Sequence, residues 1–182
     1  MNAPGNDLLL LSGKVVTILL QAAMAVGALA LAIAVPALIF FEDAVLEGVR
    51  AGSPMPLGEI PMLPLIGLLG IMFMILAALF VFFGKLRAII DTVSAGDPFV
   101  PVNAERLSAM AWLLLASQLL TWPLVALALV IAEWAQELDD VDLRLEGDAF
   151  DITGILMVLV LFILARVFRH GAAMREDLEG TV

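Results

Sequence analysis

Apolar residues occur along the chain in four long runs, which short polar segments separate. The runs cover residues 15–41, 63–83, 109–132 and 152–168. A helix rises about 1.5 Å per residue, so about 20 apolar residues cross the hydrocarbon core of a bilayer. The pattern therefore predicts an all-α membrane protein, a single domain with four transmembrane helices.

The segments between the runs fall into two sets that lie on opposite sides of the membrane. One set comprises loops 42–62 and 133–151, and the other comprises the N-terminus, loop 84–108 and tail 169–182. The second set, with the last turns of the fourth run, holds seven of the nine bases: Lys14, Lys85, Arg87, Arg106, Arg166, Arg169 and Arg175. Because short cytoplasmic segments carry the excess of Lys and Arg, we expect both termini in the cytoplasm.

Composition supports a membrane protein and excludes other classes. The chain of 182 residues is 63% hydrophobic, with a mean hydropathy of +1.08. A soluble domain is about 45–50% apolar, so neither a soluble globule nor a disordered chain fits. The formal net charge of -10 lies entirely on loops 42–62 and 133–151, because acids and bases balance on the cytoplasmic side.

The two external loops carry signals for a small β cap. Apolar and polar residues alternate over 141–146, Gly147-Asp148 is a turn sequence, and the alternation resumes at Phe150, which predicts a hairpin. Residues 55–60 could add a third strand. The acidic segment lacks the EF-hand spacing. A looser cation site and a merely solvated rim both stay open for its acidic residues Asp139, Asp140 and Asp142.

The cytoplasmic loop 84–108 is predicted to form two helix ends joined by an ordered corner. Gly96 can end the first helix in a left-handed conformation, and Asp97-Pro98 favours a turn. Asn103 is predicted to be the N-cap of the next helix. Phe99 could tuck under the helices or contact a partner.

Polar residues inside the runs are few. Gln21, Gln118 and Thr121 are candidate intramembrane polar contacts, and Gln21 and Gln118 could hydrogen-bond to each other. No Asp, Glu or Lys falls inside a run, which argues against a proton-driven exporter and an aspartyl membrane protease. Small residues such as Gly27 and Gly67 predict close helix packing, either within the chain or in a homodimer. The expected membrane anchors are Lys14, Lys85, Arg87 and Arg166.

Several kinds of chemistry lack the residues they need. The chain has no cysteine and one histidine, His170, so disulfides, Cys-ligated metals and two-histidine metal motifs are absent. We therefore expect no enzyme activity, no cofactor and no metal site. The N-terminus does not have the pattern of a cleaved secretory signal, because Asp7 precedes its first base, Lys14.

Two segments, GDPFVPVNAERL at 96–107 and ARVFRHGAAMREDLEGTV at 165–182, resemble a known bacterial family. It is the domain-of-unknown-function family numbered 2975, whose members are small four-helix membrane proteins. They are often encoded beside a small helix-turn-helix regulator. The resemblance implies a bacterial cytoplasmic membrane protein that belongs to a regulatory pair. The chain departs from the family at Val102, where related sequences often have Glu.

These patterns together predict a non-enzymatic sensor or regulatory membrane protein that docks a cytoplasmic protein and does not bind nucleic acid directly. The candidate partner-binding residues are Asp97, Phe99, Asn103, Arg106, Arg169, Arg175 and Asp177. A small channel or transporter subunit, and a scaffold subunit of a membrane complex, are the alternatives.

Overall fold

The computed structural model describes residues 4–52, 60–136 and 151–179, and the regular structure in those ranges is helical. Five helices follow one another: α1 Pro4–Phe40, α2 Glu42–Gly52, α3 Met62–Ser94, α4 Pro101–Gln136 and α5 Ile152–Glu179. The helices α1, α3, α4 and α5 are each long and apolar enough to cross a membrane. The prediction of an all-α membrane protein with four apolar helices is therefore confirmed.

The first loop after α1 begins with a short polar helix. The helix α2 starts immediately after α1 and carries Glu42 and Asp43 in its first turn, where acidic side chains complement the helix dipole. No strand occurs in the described ranges. The predicted β cap and the candidate cation site fall largely on residues 53–59 and 137–150, which lie outside the described residues.

The four long helices pack in chain order as a row. The helix α1 packs on α3, α3 packs on α4, and α4 packs on α5, whereas no Cα atoms of α1 and α5 in the described ranges lie within 8 Å of each other. Glycines allow two close approaches: a Cβ on Gly27 would lie 3.0 Å from Leu76 Cδ1, and one on Gly67 would lie 3.0 Å from Leu127 Cδ1. These two glycines therefore serve packing within the chain.

The two ends of the row differ in charge and in packing. The basic end of the row is the end that carries Lys14, Lys85, Arg87, Arg106, Arg166 and Arg169. The acidic end is the opposite end, which carries Glu42, Asp43 and Glu133. The buried apolar cluster lies at and above the basic end and joins α3, α4 and α5 through Ile89, Leu107, Met110, Ala111, Leu161 and Ala165. Elsewhere most large apolar side chains point outward, as expected for helices that face lipid.

Candidate functional site

The corner between α3 and α4 is ordered by its backbone. The helix α3 ends at Ser94, and Gly96 adopts a φ of 82°. The Gly96 N–H donates to Val93 O over 3.0 Å, and the Asp97 N–H donates to Thr92 O over 3.0 Å. This pair of bonds is a Schellman motif, which satisfies carbonyls at a helix end and requires a left-handed residue. The predicted role of Gly96 as a helix stop is confirmed.

Asn103 is the polar centre of the corner. Its side chain has no exposed surface, and its Nδ2 donates to Thr92 Oγ1 over 2.7 Å and to Pro98 O over 2.9 Å. Its Oδ1 accepts a 2.9 Å hydrogen bond from Arg106 Nη1. The prediction that Asn103 is an N-cap is wrong, because α4 already begins at Pro101, where proline suits the first helical position. Asn103 instead ties both helices to the corner.

The tail of α5 is attached to the same corner by a charged pair and an aromatic contact. Arg175 Nη1 donates to Asp97 Oδ1 in an ion pair. The rings of Phe99 and Phe168 lie 5.3 Å apart between centroids. Gly171 makes room for Phe99, since a Cβ there would lie 2.8 Å from Phe99 Cδ1. We call these contacts the corner–tail lock.

The other predicted basic-end residues lie around this lock. Arg106 Nη1 also donates to Ala88 O over 3.0 Å, which binds α4 to α3. Arg166 and Arg169 are exposed and line, with Ser108, a groove of about 580 Å³. Asp177 is exposed near the end of α5.

The predicted anchors on α1 and α3 also lie at the basic end. Lys14 Nζ forms a 2.7 Å ion pair with Asp91 Oδ1, which joins α1 to α3. Lys85 is half-buried and Arg87 is exposed. Lys14 therefore has a contact within the chain in addition to its expected position at the interface.

Exposed apolar side chains accompany the lock. Phe99 and Val102 are each 42% exposed, Met174 is 52% exposed and Leu178 is 71% exposed. Met174 and Leu178 lie beyond Arg169 on α5, by about 7.5 and 13.5 Å at 1.5 Å per residue. The charged residues Arg175 and Glu176 are exposed between them. Apolar groups that lie among exposed charges are expected outside the hydrocarbon region, which makes this surface a candidate contact for another protein.

The predicted hydrogen bond between Gln21 and Gln118 is wrong. These residues lie on α1 and α4, which are not neighbours in the row. Gln21 lies beside Gly84, because a Cβ there would be 3.0 Å from Gln21 Nε2. Thr121 Oγ1 donates to Ser117 O of its own helix over 3.0 Å.

Gln118 instead bonds to Asp151, about half-way between the two ends. Gln118 lies 12 residues after Arg106 and 15 before Glu133 on α4, which is about 18 and 22 Å along the helix. Its Nε2 donates to Asp151 Oδ2 over 3.1 Å. Asp151 immediately precedes α5, so this bond joins α4 to the start of α5.

The Asp151 carboxylate is held by several donors. Besides the Gln118 amide, it accepts hydrogen bonds from the backbone N–H groups of Thr153 and Gly154, so it caps the first turn of α5. A Cβ on Gly154 would overlap Gln118 Nε2, so only glycine leaves room for the amide. These donors stabilise the charged form of the carboxylate.

The described geometry can be compared with known proteins. A family model described as "Protein of unknown function (DUF2975)" matches residues 49–182. The chain belongs to this family. The comparisons with curated proteins and with solved structures return no match. The match covers α3, α4 and α5, and with them the corner, the tail and the Gln118–Asp151 pair.

Sequence reasoning missed two residues of this DUF2975 protein. Thr92 gave no signal, because a threonine near a helix end satisfies its hydroxyl in many ways; here it donates to Ile89 O and accepts from Asn103. Asp151 had two signals. Aspartate before a helix is a frequent N-cap, and the apolar run from Ile152 to Phe168 is shorter than the other three.

Proposed function

We propose that this integral membrane protein is a non-enzymatic regulatory component whose basic end faces the bacterial cytoplasm and docks a soluble protein. The corner–tail lock and its exposed apolar side chains support this function best. The family resemblance makes a small helix-turn-helix transcription regulator the first partner to test. Its action on DNA would belong to that regulator.

The lock supports docking because it gives the surface a fixed shape. The buried amide of Asn103 positions the corner, and the pair of Asp97 and Arg175 holds α5 against it. A surface that is ordered before binding loses less conformational entropy when a partner binds. A signal in the membrane or the envelope would change this surface through α5, whose tail forms part of the lock.

The chemistry of the surface also supports a protein partner. Apolar groups such as Val102 and Met174 lie among charged groups of both signs, including Arg175 and Glu176. Mixed charge favours specific protein contacts, whereas an anionic membrane surface attracts blocks of bases.

Docking can be tested with surface variants in the full-length protein. The measured quantity is the amount of the proposed helix-turn-helix regulator that co-purifies with this protein in mild detergent. We expect Val102→Asp and Met174→Asp each to reduce that amount by at least tenfold. Leu9→Asp is the matched control, because Leu9 is an exposed apolar residue near the basic end of α1, a helix that contacts neither α4 nor α5. Equal recovery with all variants, or no recovery with the wild type, would contradict the proposal.

The orientation has its own test. A cytoplasm-active fluorescent reporter fused after Val182 should be bright, and an export-active phosphatase reporter at that position should be inactive. A reporter pair inserted after Gln136 should give the opposite result. Reversed signals would place the lock outside the cytoplasm and overturn the proposed site of docking.

A further inference from the structure

We propose that the groove between α4 and α5 at the basic end binds one phospholipid of the ethanolamine type, whose headgroup carries a phosphate and a primary ammonium. In this assignment the phosphate contacts Arg166 and Arg169, and the ammonium lies toward Glu105 and Glu176. This inference goes beyond the proposed docking function and does not depend on it.

The groove lies at the level where both helices leave their apolar runs. Ser108 of α4 directly precedes the run 109–132, and Arg166 of α5 belongs to the last turn of the run 152–168. These two residues line the same groove of about 580 Å³. A groove at this level meets the headgroup layer of a bilayer, where basic pockets between membrane helices bind phospholipid headgroups.

The middle of the groove supplies cations for a phosphate. Arg166 and Arg169 are three residues apart on α5, so they lie on one flank of the helix. Both are exposed, and neither forms an ion pair with a carboxylate of the described residues. Ser108 and His170 add side chains that can donate hydrogen bonds. Guanidinium groups match the oxygens of a phosphate, so this set suits the phosphodiester of a lipid.

The part of the groove that faces the bilayer interior is aromatic. Phe162 lines the groove one turn from Arg166, and Trp112 lies one turn from Ser108. The two rings meet edge to face, with centroids 5.4 Å apart. Trp112 is 61% exposed, so its ring offers an apolar surface to an acyl chain that descends from the headgroup.

Beyond the arginines the groove continues into an acidic part. A second cavity of about 230 Å³ shares Arg169 with the groove and is also lined by Glu105 and Glu176. Glu105 lies about one turn from Ser108, and Glu176 about two turns from Arg169, both in the direction away from the bilayer. Both glutamates are exposed, so their carboxylates can accept hydrogen bonds from an ammonium group.

The order of these three parts selects among phospholipids. From the bilayer outward the groove is apolar, then basic, then acidic, and an ethanolamine lipid presents its acyl chain, phosphate and ammonium in the same order. A glycerol headgroup has no cation for the carboxylates, and a choline headgroup has a cation without an N–H donor. Free phosphate lacks both the ammonium and the acyl chain. The ethanolamine lipid is therefore the occupant that matches all three parts.

Native mass spectrometry of the full-length protein in mild detergent tests the site with three lipids. They have identical acyl chains and carry ethanolamine, choline or glycerol headgroups. We expect the ethanolamine lipid to bind about threefold more tightly than the other two, which is the size of an exposed ionic contact. Arg166→Gln with Arg169→Gln should weaken binding of all three lipids by about tenfold, because the lipids share the phosphate. Glu105→Gln with Glu176→Gln should remove the preference for the ethanolamine lipid over the glycerol lipid.

Arg87→Gln is the matched control, since Arg87 is an exposed base of α3 at the basic end and does not line the groove. It should leave the three affinities unchanged. If the wild type binds the glycerol lipid most tightly, or if the glutamate variant keeps the wild-type preference, the assigned site for the ammonium is wrong. Displacement of the bound lipid by excess inorganic phosphate would identify a site for free anions and overturn the lipid assignment.

Fluorescence quenching tests the position of the lipid in a bilayer. With Trp122→Phe and Trp134→Phe, Trp112 is the remaining tryptophan of the three in the chain. Ethanolamine lipid with brominated acyl chains, diluted into choline lipid, should quench Trp112 more strongly than brominated choline lipid at the same fraction. Arg166→Gln with Arg169→Gln should remove this excess. Equal quenching by the two brominated lipids before the arginines are replaced would overturn a lipid site beside Trp112.

Discussion

Asn103→Ala tests the corner most directly, because the side chain it removes makes three hydrogen bonds and is fully buried. A buried hydrogen bond contributes about 0.5–1.5 kcal/mol net, so three bonds correspond to about 3 kcal/mol. Thr92 keeps its bond to Ile89 O, and Arg106 keeps its bond to Ala88 O. We therefore expect a loss of about 3 kcal/mol in the free energy of unfolding, and no complete failure to fold.

The assay is equilibrium unfolding in mixed micelles of mild detergent and dodecyl sulfate, followed by tryptophan fluorescence. Asn103→Asp keeps an acceptor for Arg106 but places a carboxylate oxygen against Pro98 O in a buried site, so it should lose at least as much as Asn103→Ala. Val102→Ala is the control at the neighbouring exposed position and should stay within about 0.5 kcal/mol of the wild type. If Asn103→Ala behaves like Val102→Ala, the amide does not hold the corner and the reasoning is refuted.

The same unfolding assay checks the other contacts of the basic end. Gly96→Ala should lower the free energy of unfolding by about 1 kcal/mol, because a φ of 82° is unfavourable for a residue with a Cβ, and a neutral result would show that the turn relaxes. Gly171→Val should lower the free energy of unfolding by about 1–3 kcal/mol, because the added side chain displaces the Phe99 ring. Gly70→Ala is the control and should be neutral or stabilising, because nothing lies within 4 Å of its Cβ position. Equal losses in the two variants would contradict this prediction. Asp97→Arg should lower the free energy of unfolding by up to about 1 kcal/mol, and the double variant Asp97→Arg with Arg175→Asp should recover part of that loss. A coupling energy near zero would mean that the exposed ion pair does not contribute to stability.

The sequence predicts those parts of this protein that depend on local chemistry. A helix that crosses lipid needs an uninterrupted apolar run, so the four spans can be predicted from the pattern of apolar residues alone. Gly96 is equally local, because a left-handed helix end needs a residue without a Cβ. Three residues of the lock, Asp97, Phe99 and Arg175, are predicted partner contacts, and the structure shows the contacts that they make within the chain. Their binding role stays a prediction.

The relative height of the helices could not be read from the sequence. A run of apolar residues specifies that a segment crosses lipid, but neighbouring side chains set how far one helix slides along another. Here two aromatic pairs fix the position of α5 along α4 and the corner. They are Trp112 with Phe162, whose ring centroids lie 5.4 Å apart, and Phe99 with Phe168. With that register, the Gln118 side chain reaches Asp151 at the start of α5. The predicted pairing of Gln21 with Gln118 failed for a different reason, because depth along each helix does not show which helices are neighbours, and α1 does not contact α4.

The packing of the long helices as a row has a consequence for biogenesis. Each long helix finds its neighbour in the long helix that precedes it in the chain, with α3 against α1, α4 against α3 and α5 against α4. Contacts between consecutive segments require closure of only one connecting loop at a time, which keeps the entropic cost of each step small. A ribosome that delivers the helices one after another therefore delivers each of them beside a partner that is already in the membrane, and no earlier contact has to open to admit it.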